Sequence, residues 1–202
     1  MTESVPPSLK RFIWDIQSMV ELTDDAREIL LIGSDLMARL IATDDWLPEV
    51  FAAASPHEPR QFQLYSDGLE RFCVVSTVLC AGQTLPVLQE PFWEIMGVLS
   101  GAVTLRKLAL PRDGEARKTG DRREFGAGAV ERLSPRSGEA FQLSNATDQV
   151  SICIHAYGGE IGACRRYAVT PEGRLEAQAS GYANGEDDPP YDIWSIQTKI
   201  ED

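Results

Sequence analysis

The stretch Gly82-Gln-Thr-Leu-Pro-Val-Leu-Gln-Glu-Pro-Phe-Trp-Glu-Ile-Met-Gly-Val-Leu-Ser-Gly101 decides the fold. Its second half, WEIMGVLSG, is a short apolar run bounded by proline and glycine, which is typical of a β-strand. Runs of the same kind recur from about Arg60 onward: QFQLYS, RFCVVSTVL, AVTLRKLAL, AVERLS, AFQLS and QVSICIHAYG. This part of the chain is therefore predicted to be a β-barrel or sandwich.

The residues before these runs follow a helical period. Between Ser8 and Val20 apolar side chains recur every three or four residues, which indicates an amphipathic helix that begins just past Pro6-Pro7. A second helix is expected to follow at once, with Thr23 as its N-cap and Asp24 and Asp25 near its positive end. Its apolar face is formed by Ile29, Leu30, Ile32, Leu36, Leu40 and Ile41.

A chain of 202 residues with 43% hydrophobic content can bury one sizeable core. We expect a single domain over residues 1–202, made of a helical part (1–48), a β part (60–184) and a C-terminal tail (185–202). The tail ends in Ile193, Trp194 and Ile196, which we expect to pack back on the β part. The charged run Pro111–Arg123 is predicted to be a solvated hairpin loop.

The formal net charge of −12 would repel phosphate backbones and anionic lipids, so neither nucleic acid nor a membrane is the expected partner. No apolar run is long enough to span a bilayer and the N-terminus lacks the apolar core of a signal peptide, so we expect a cytoplasmic protein. The four cysteines show no C-x-x-C spacing, which favours buried, reduced thiols.

Two motif frames carry a resemblance to a known family. The opening stretch and Pro135-Arg-Ser-Gly-Glu-Ala-Phe-Gln-Leu-Ser-Asn145 keep the glycines, prolines and asparagine of the two cupin motifs. Further markers are Asp44–Pro48, Arg60–Tyr65, His155–Gly158 and Ser180–Tyr182. Over most of its length the chain resembles the cupin-fold bacterial thiol dioxygenases that act on cysteine and mercaptopropionate. This resemblance implies a single cupin (jelly-roll) β-barrel that follows the two helices.

Members of that family bind ferrous iron through three histidines, whose places here hold Leu88, Glu90 and Phe141. Leucine and phenylalanine have no lone pair to donate, so we expect the iron site to be lost and the chain to have no metal cofactor. Glu94 restores a glutamate of the cupin motif and would share one cavity with Glu90. The two carboxylates could bind manganese or magnesium with waters; alternatively, one of them is protonated or paired with an arginine.

The other pocket positions of the family are better kept. Period-two alternation on Ser151–Tyr157 places Cys153, His155 and Tyr157 on one face, where the family has a Ser-His-Tyr relay. Arg166 matches the arginine that grips a substrate carboxylate, with Arg165 as its rival, and Gln61 matches a pocket glutamine. Cys153 is either a nucleophile beside His155 or a buried, inert thiol.

We therefore expect an enzyme of the thiol dioxygenase type that has turned to non-oxidative acid–base chemistry on a small carboxylate-bearing substrate, which could also contain sulfur. Its catalytic residues would be His155, Tyr157 and Glu90. Its substrate-binding residues would be Arg166, Gln61, Cys153, Glu94, Phe141, Leu88 and Trp93. The alternatives are an inactive protein that binds or senses a small carboxylate or thiol, and a thiol dioxygenase with unusual metal ligands. A homodimer is left open as the assembly.

Overall fold

The computed structural model describes residues 4–110, 115–145 and 147–193. Within them the chain forms two α-helices, α1 (Pro7–Leu22) and α2 (Ala26–Leu40), a turn of 3-10 helix (Glu49–Ala52) and then only strands. The strands are β1 (Arg60–Ser66), β2 (Cys73–Leu79), β3 (Val87–Leu88), β4 (Glu94–Ser100), β5 (Ala102–Ala109), β6 (Arg117–Lys118), β7 (Arg123–Gly126), β8 (Val130–Leu133), β9 (Glu139–Ser144), β10 (Ser151–Tyr157), β11 (Arg166–Val169) and β12 (Leu175–Gln178). The prediction of a mainly β protein with two N-terminal helices is confirmed.

The described strands form three antiparallel sheets. The largest has the order β1-β2-β10-β4-β8, a second has the order β12-β11-β3, and in the third β5 pairs with β6, β7 and β9. Ladder hydrogen bonds do not join these sheets into one closed cylinder, so the described strands do not form a barrel closed by hydrogen bonding. The predicted division into parts 1–48, 60–184 and 185–202 stays a prediction.

The cap of α2 differs from the prediction. Asp25, and not Thr23, is the N-cap, because its carboxylate accepts a hydrogen bond from the backbone N–H of Arg27 at 2.8 Å. The Thr23 hydroxyl oxygen accepts from the N–H of Asp25 at 3.1 Å, which fixes the turn before the cap. Two short polar residues compete for one helix end here, and the one nearer the first helical residue caps it.

The short strands β3, β6, β7, β11 and β12 were not predicted, because they are two to four residues long and lack an apolar run. One of them, β6, lies in the segment that the charge pattern predicts to be a loop. Ile193 in the tail is buried and packs in the same cluster as the helices. Trp194 and Ile196 lie outside the described residues. No helix of the described residues is long and apolar enough to cross a membrane.

The five-stranded sheet separates two apolar regions. On one face, α1 and α2 pack against the sheet, and we call this region the helix-side cluster; it includes Leu9, Ile13, Met37, Val74, Val78, Ile95, Ile154 and Ala156. On the other face, the sheet packs against β5 and β9 through residues that include Leu79, Met96, Val98, Leu105, Leu133, Leu143 and Cys153. The candidate site lies on this second face.

Two glycines let α2 approach the sheet closely. A Cβ added at Gly33 of α2 would collide with the Ile95 side chain on β4. A Cβ added at Gly97 of β4 would lie 2.8 Å from Met37 Cγ and 2.9 Å from its Sδ. The helix and the strand therefore interlock through a bare backbone on each side, which leaves no room for a larger residue.

Gly97→Val should destabilise the protein by about 1–3 kcal/mol, because the added methyl groups overpack the contact with Met37. Urea unfolding followed by far-UV circular dichroism measures the change. Gly126→Val on β7 is the matched control, since a Cβ there meets nothing within 4 Å. Equal unfolding midpoints for the two variants would contradict this prediction, because they would show that α2 can shift away from β4 without loss of stability.

Candidate functional site

The site is built around β10, which pairs antiparallel with β2 along one edge and with β4 along the other. Ile154 and Ala156 point to the helix-side cluster. Cys153, His155 and Tyr157, which alternate with them along the strand, face the opposite way. Cys153 packs in the second apolar region, and His155 and Tyr157 line a cavity. The imidazole of His155 is 1% exposed.

Alternation also organises the segment from β3 into β4. Leu88, Glu90, Phe92, Glu94 and Met96 all line the cavity, and each is two residues from the next. The cavity has a volume of about 40 Å³, enough for a few water molecules or a very small ligand. The remaining lining residues are Leu85, Pro86, Leu105, Leu133, Pro135, Ala140, Phe141 and Leu143, together with His155 and Tyr157 of β10.

Glu94 holds His155 by its Nδ1 atom, which lies 2.7 Å from Glu94 Oε1. An ionised carboxylate only accepts hydrogen bonds, so this contact places the proton of a neutral imidazole on Nδ1 and the lone pair on Nε2. Nε2 is buried and has no hydrogen-bond partner among the described residues. His155 thus presents an unused basic nitrogen in the wall of a cavity.

Tyr157 stacks on His155, with the ring centroids 5.4 Å apart and the planes within 4° of parallel. Its hydroxyl lies 3.3 Å from His155 Nδ1, a longer and weaker contact than the one from Glu94. Burial, with the neighbouring Glu94 carboxylate adding to it, raises the pKa of the Tyr157 phenol well above its ordinary value. Tyr157 therefore keeps its proton at neutral pH and, because Nδ1 carries the imidazole proton, can donate only to an acceptor other than Nδ1.

The three places that hold iron in the resembled family meet in this cavity. Leu88, Glu90 and Phe141 all line it, next to His155 and Tyr157. Ferrous iron does not fit this set, because two of the three side chains are hydrocarbon and only Glu90 offers an oxygen. The described residues contain no group of three or more His, Cys, Asp or Glu side chains that could hold a metal ion.

The two cavity carboxylates have different partners. Glu94 is committed to His155. Glu90 lies 3.9 Å from Arg165 Nε by its Oε1 atom, across a surface where the Arg165 side chain is 69% exposed. Its other oxygen, Oε2, is buried without a hydrogen-bond partner among the described residues. Glu90 is thus only weakly neutralised, and one of its oxygens is available to a donor.

Arg166 does not line the cavity itself. It is buried, at 7% exposure, and it donates from Nη1 to Gln61 Oε1 at 2.6 Å and from Nη2 to the Ile161 carbonyl at 3.3 Å. Gln61 in turn donates to the Thr77 hydroxyl at 3.1 Å. None of the ion pairs among the described residues includes Arg166, and its Nε has no partner there. Arg166 is thus a buried guanidinium that has no ion-pair partner in the part of the chain that the structure describes.

Besides Arg166 and Gln61, two more of the predicted substrate-binding residues, Trp93 and Cys153, do not line the cavity. Trp93 is adjacent to Glu94, and neighbouring side chains in an extended segment face opposite sides. Its ring therefore packs over Gly158 and against the helix-side cluster. Cys153 lies on the correct face but deeper, among apolar side chains, and burial raises the pKa of its thiol far above the ordinary value. Burial of this kind suits an inert thiol rather than a nucleophile.

Phe92 and Met96 line the cavity but were not singled out from the sequence. The alternation that was applied to β10 would have indicated both of them, because each lies two residues from Glu94. Glu160 was also missed. Its carboxylate accepts from Gln63 Nε2 at 2.7 Å, from Ser66 Oγ at 2.6 Å and from the Gly162 N–H at 2.7 Å, and it contacts the Tyr182 hydroxyl. A carboxylate so fully satisfied holds a loop in place.

Comparisons with known proteins give low similarity. No family model matches the chain. A Klebsiella pneumoniae protein with a double-stranded beta-helix domain aligns with 65% of this chain and 94% of its own, at 13% identity and a TM-score of 0.45. A cupin 2 conserved barrel protein from Salinispora arenicola aligns with 55% of this chain and 83% of its own, at 19% identity and a TM-score of 0.40. These similarities say nothing about the chemistry of the cavity.

Thiol labelling tests the burial of Cys153. In the folded protein at pH 7.5, iodoacetamide should modify Cys153 and Cys73 at least about tenfold more slowly than the half-exposed Cys80. Burial raises the pKa of Cys73 to about 12, and that of Cys153 still further, so almost no thiolate is present. Peptide mass spectrometry gives the rate at each site, and all four cysteines should react in urea. Labelling of Cys153 as fast as Cys80 would revive the nucleophile hypothesis.

Proposed function

We propose that this cavity is the active site of an enzyme that transfers protons on a small carboxylate-bearing substrate, with His155 as the general base or acid. One observation carries the proposal. His155 is held by Glu94 through Nδ1 and leaves a buried, unpartnered Nε2 in the cavity wall. A carboxylate that fixes the tautomer and orientation of an imidazole is a recurring device of general base catalysis.

Tyr157 and Glu90 are the other proposed catalytic groups. Tyr157 retains its proton and lies against His155, so it can donate a hydrogen bond to a negative charge that develops on the substrate. Glu90 can accept a proton through its unpartnered oxygen. The apolar remainder of the wall lowers the local dielectric, which strengthens each of these interactions. Elimination, hydration, isomerisation and hydrolysis all lie within the reach of such a set.

Arg166 supports a substrate that bears a carboxylate. A guanidinium buried without an anion is costly, and a bidentate carboxylate would neutralise it. Gln61 Oε1 now occupies one of its donors, in the place that a carboxylate oxygen would take. Because Gln61 holds this donor, a substrate carboxylate takes its place only when the Gln61 side chain turns aside.

The family proposed is that of cupin (jelly-roll) proteins descended from thiol dioxygenases, without their three-histidine iron site. The motif resemblance supports this descent, and the hydrocarbon at Leu88 and Phe141 supports the loss of iron chemistry. The proposal therefore contains no step that uses iron or dioxygen.

The purified protein should contain well below one iron per chain, because Leu88 and Phe141 supply no lone pair. Inductively coupled plasma mass spectrometry measures the metal content after growth in iron-supplemented medium. Stoichiometric iron, together with oxygen uptake on addition of cysteine or mercaptopropionate, would instead identify a thiol dioxygenase with unusual ligands.

His155→Ala should slow proton transfer by about 10²-fold or more, the usual contribution of a general base. The assay follows deuterium exchange by proton NMR in D₂O, over a panel of carboxylic acids of about two to four carbons with and without a thiol. His57→Ala is the matched control, since His57 is exposed in a loop before β1. Unchanged exchange in His155→Ala would refute the assignment, and saturable binding of an acid without any exchange would favour an inactive binding protein.

A further inference from the structure

Apart from the Tyr157 phenol, the polar side chains of the cavity wall offer acceptors, and none of the described residues that line it is a lysine or arginine. These polar side chains are Glu90, Glu94, His155 and Tyr157. Glu94 is used by His155, which leaves Glu90 Oε2 and His155 Nε2 as buried acceptors without a donor. A ligand that fills this space must bring donors, and a positive charge would be favoured.

Glu90 is the charged acceptor of this pair. Its only ion-pair partner among the described residues is Arg165, at 3.9 Å and largely in water, so the carboxylate retains most of its negative field. His155 supplies a second, independent acceptor. It is 1% exposed and lines the same cavity, and a buried ring nitrogen without a protein partner favours a donor from a ligand or a water.

Aromatic side chains complete the case for a cation. Phe92, Phe141 and Tyr157 line the cavity together with Glu90. Aromatic faces attract ammonium groups, and the attraction grows when water is excluded. One ammonium group carries three N–H donors, enough to serve more than one acceptor. The volume of about 40 Å³ favours a small ammonium group.

We infer that the cavity recognises a protonated amine, with Glu90 as its anionic partner and the aromatic side chains as its wall. The inference rests on the proposed function in taking this cavity as the ligand site, but it requires no proton transfer. It adds a second charge requirement to the substrate, besides the carboxylate that Arg166 is proposed to bind. Phe141, which replaces a metal ligand of the resembled family, becomes part of the cation wall.

The test is binding of methylammonium chloride to the full chain by isothermal titration calorimetry, with sodium chloride at equal ionic strength and methanol as the neutral probe of similar size. Wild type should bind methylammonium saturably and methanol undetectably. Glu90→Gln should weaken binding at least tenfold, because it keeps the shape and removes the charge. Glu49→Gln, an exposed glutamate on the 3-10 turn, should leave binding unchanged.

Arg165→Gln removes the competing cation and should strengthen methylammonium binding. Absence of saturable binding, or equal binding by Glu90→Gln and wild type, would overturn the inference. Failure of the proposed function is separate. Deuterium exchange that depends on His155, found without methylammonium binding, leaves the acid–base enzyme standing and removes the amine. Methylammonium binding that depends on Glu90, found without any exchange, leaves the amine site and removes the enzyme.

Discussion

The register between β4 and β10 is the constraint on which the site depends. β10 is hydrogen-bonded along both edges, and its pairing with β4 sets Tyr157 opposite Glu94 and His155 opposite Met96. Glu94 therefore lies diagonal to His155, within reach of its Nδ1. A slip of one residue would turn Glu94 into the helix-side cluster and Ile95 into the cavity, because neighbouring side chains on a strand face opposite ways. The apolar residues on the helix side thus hold the polar pair in place.

The alternation of side chains along a strand explains which site residues could be predicted from the sequence. Alternation on β10 places His155 and Tyr157 on one face. The same rule, applied from Leu88 to Met96, places both acidic residues of the cavity, Glu90 and Glu94, on one side. Trp93 was included on motif resemblance alone. It is one residue out of step with Glu94, so its side chain lies on the other face, against the helix-side cluster. The positions of Leu88, Glu90 and Phe141 came from counting along two glycine-bounded frames. Their meeting in one cavity reflects turns that glycine fixes at Gly82, Gly101 and Gly138, each with positive φ.

The side-chain contacts that give the site its chemistry could not be predicted from the sequence. Glu94 and His155 are 61 residues apart, and Arg166 and Gln61 are 105 residues apart. Each contact depends on the pairing of strands that are distant in the chain, and no local pattern encodes that pairing. Arg165 and Arg166 illustrate the limit. The two are adjacent and chemically identical, and only the register of β11 with β3, which sets Arg166 opposite Leu88, decides that Arg166 is buried while Arg165 faces water.

The distribution of unsatisfied polar atoms is the strongest physical reason to regard this region as a ligand site. Five buried side-chain atoms in the described part of the chain have no hydrogen-bond partner, and three of them belong to Glu90, His155 and Arg166. Each such atom costs stability that a hydrocarbon side chain of similar volume would not. Leu88 and Phe141 show that hydrocarbon was accepted at neighbouring positions of the same wall. A wall that accepts hydrocarbon at two places but keeps the His155 imidazole and the Glu90 carboxylate beside them is suited to a polar ligand.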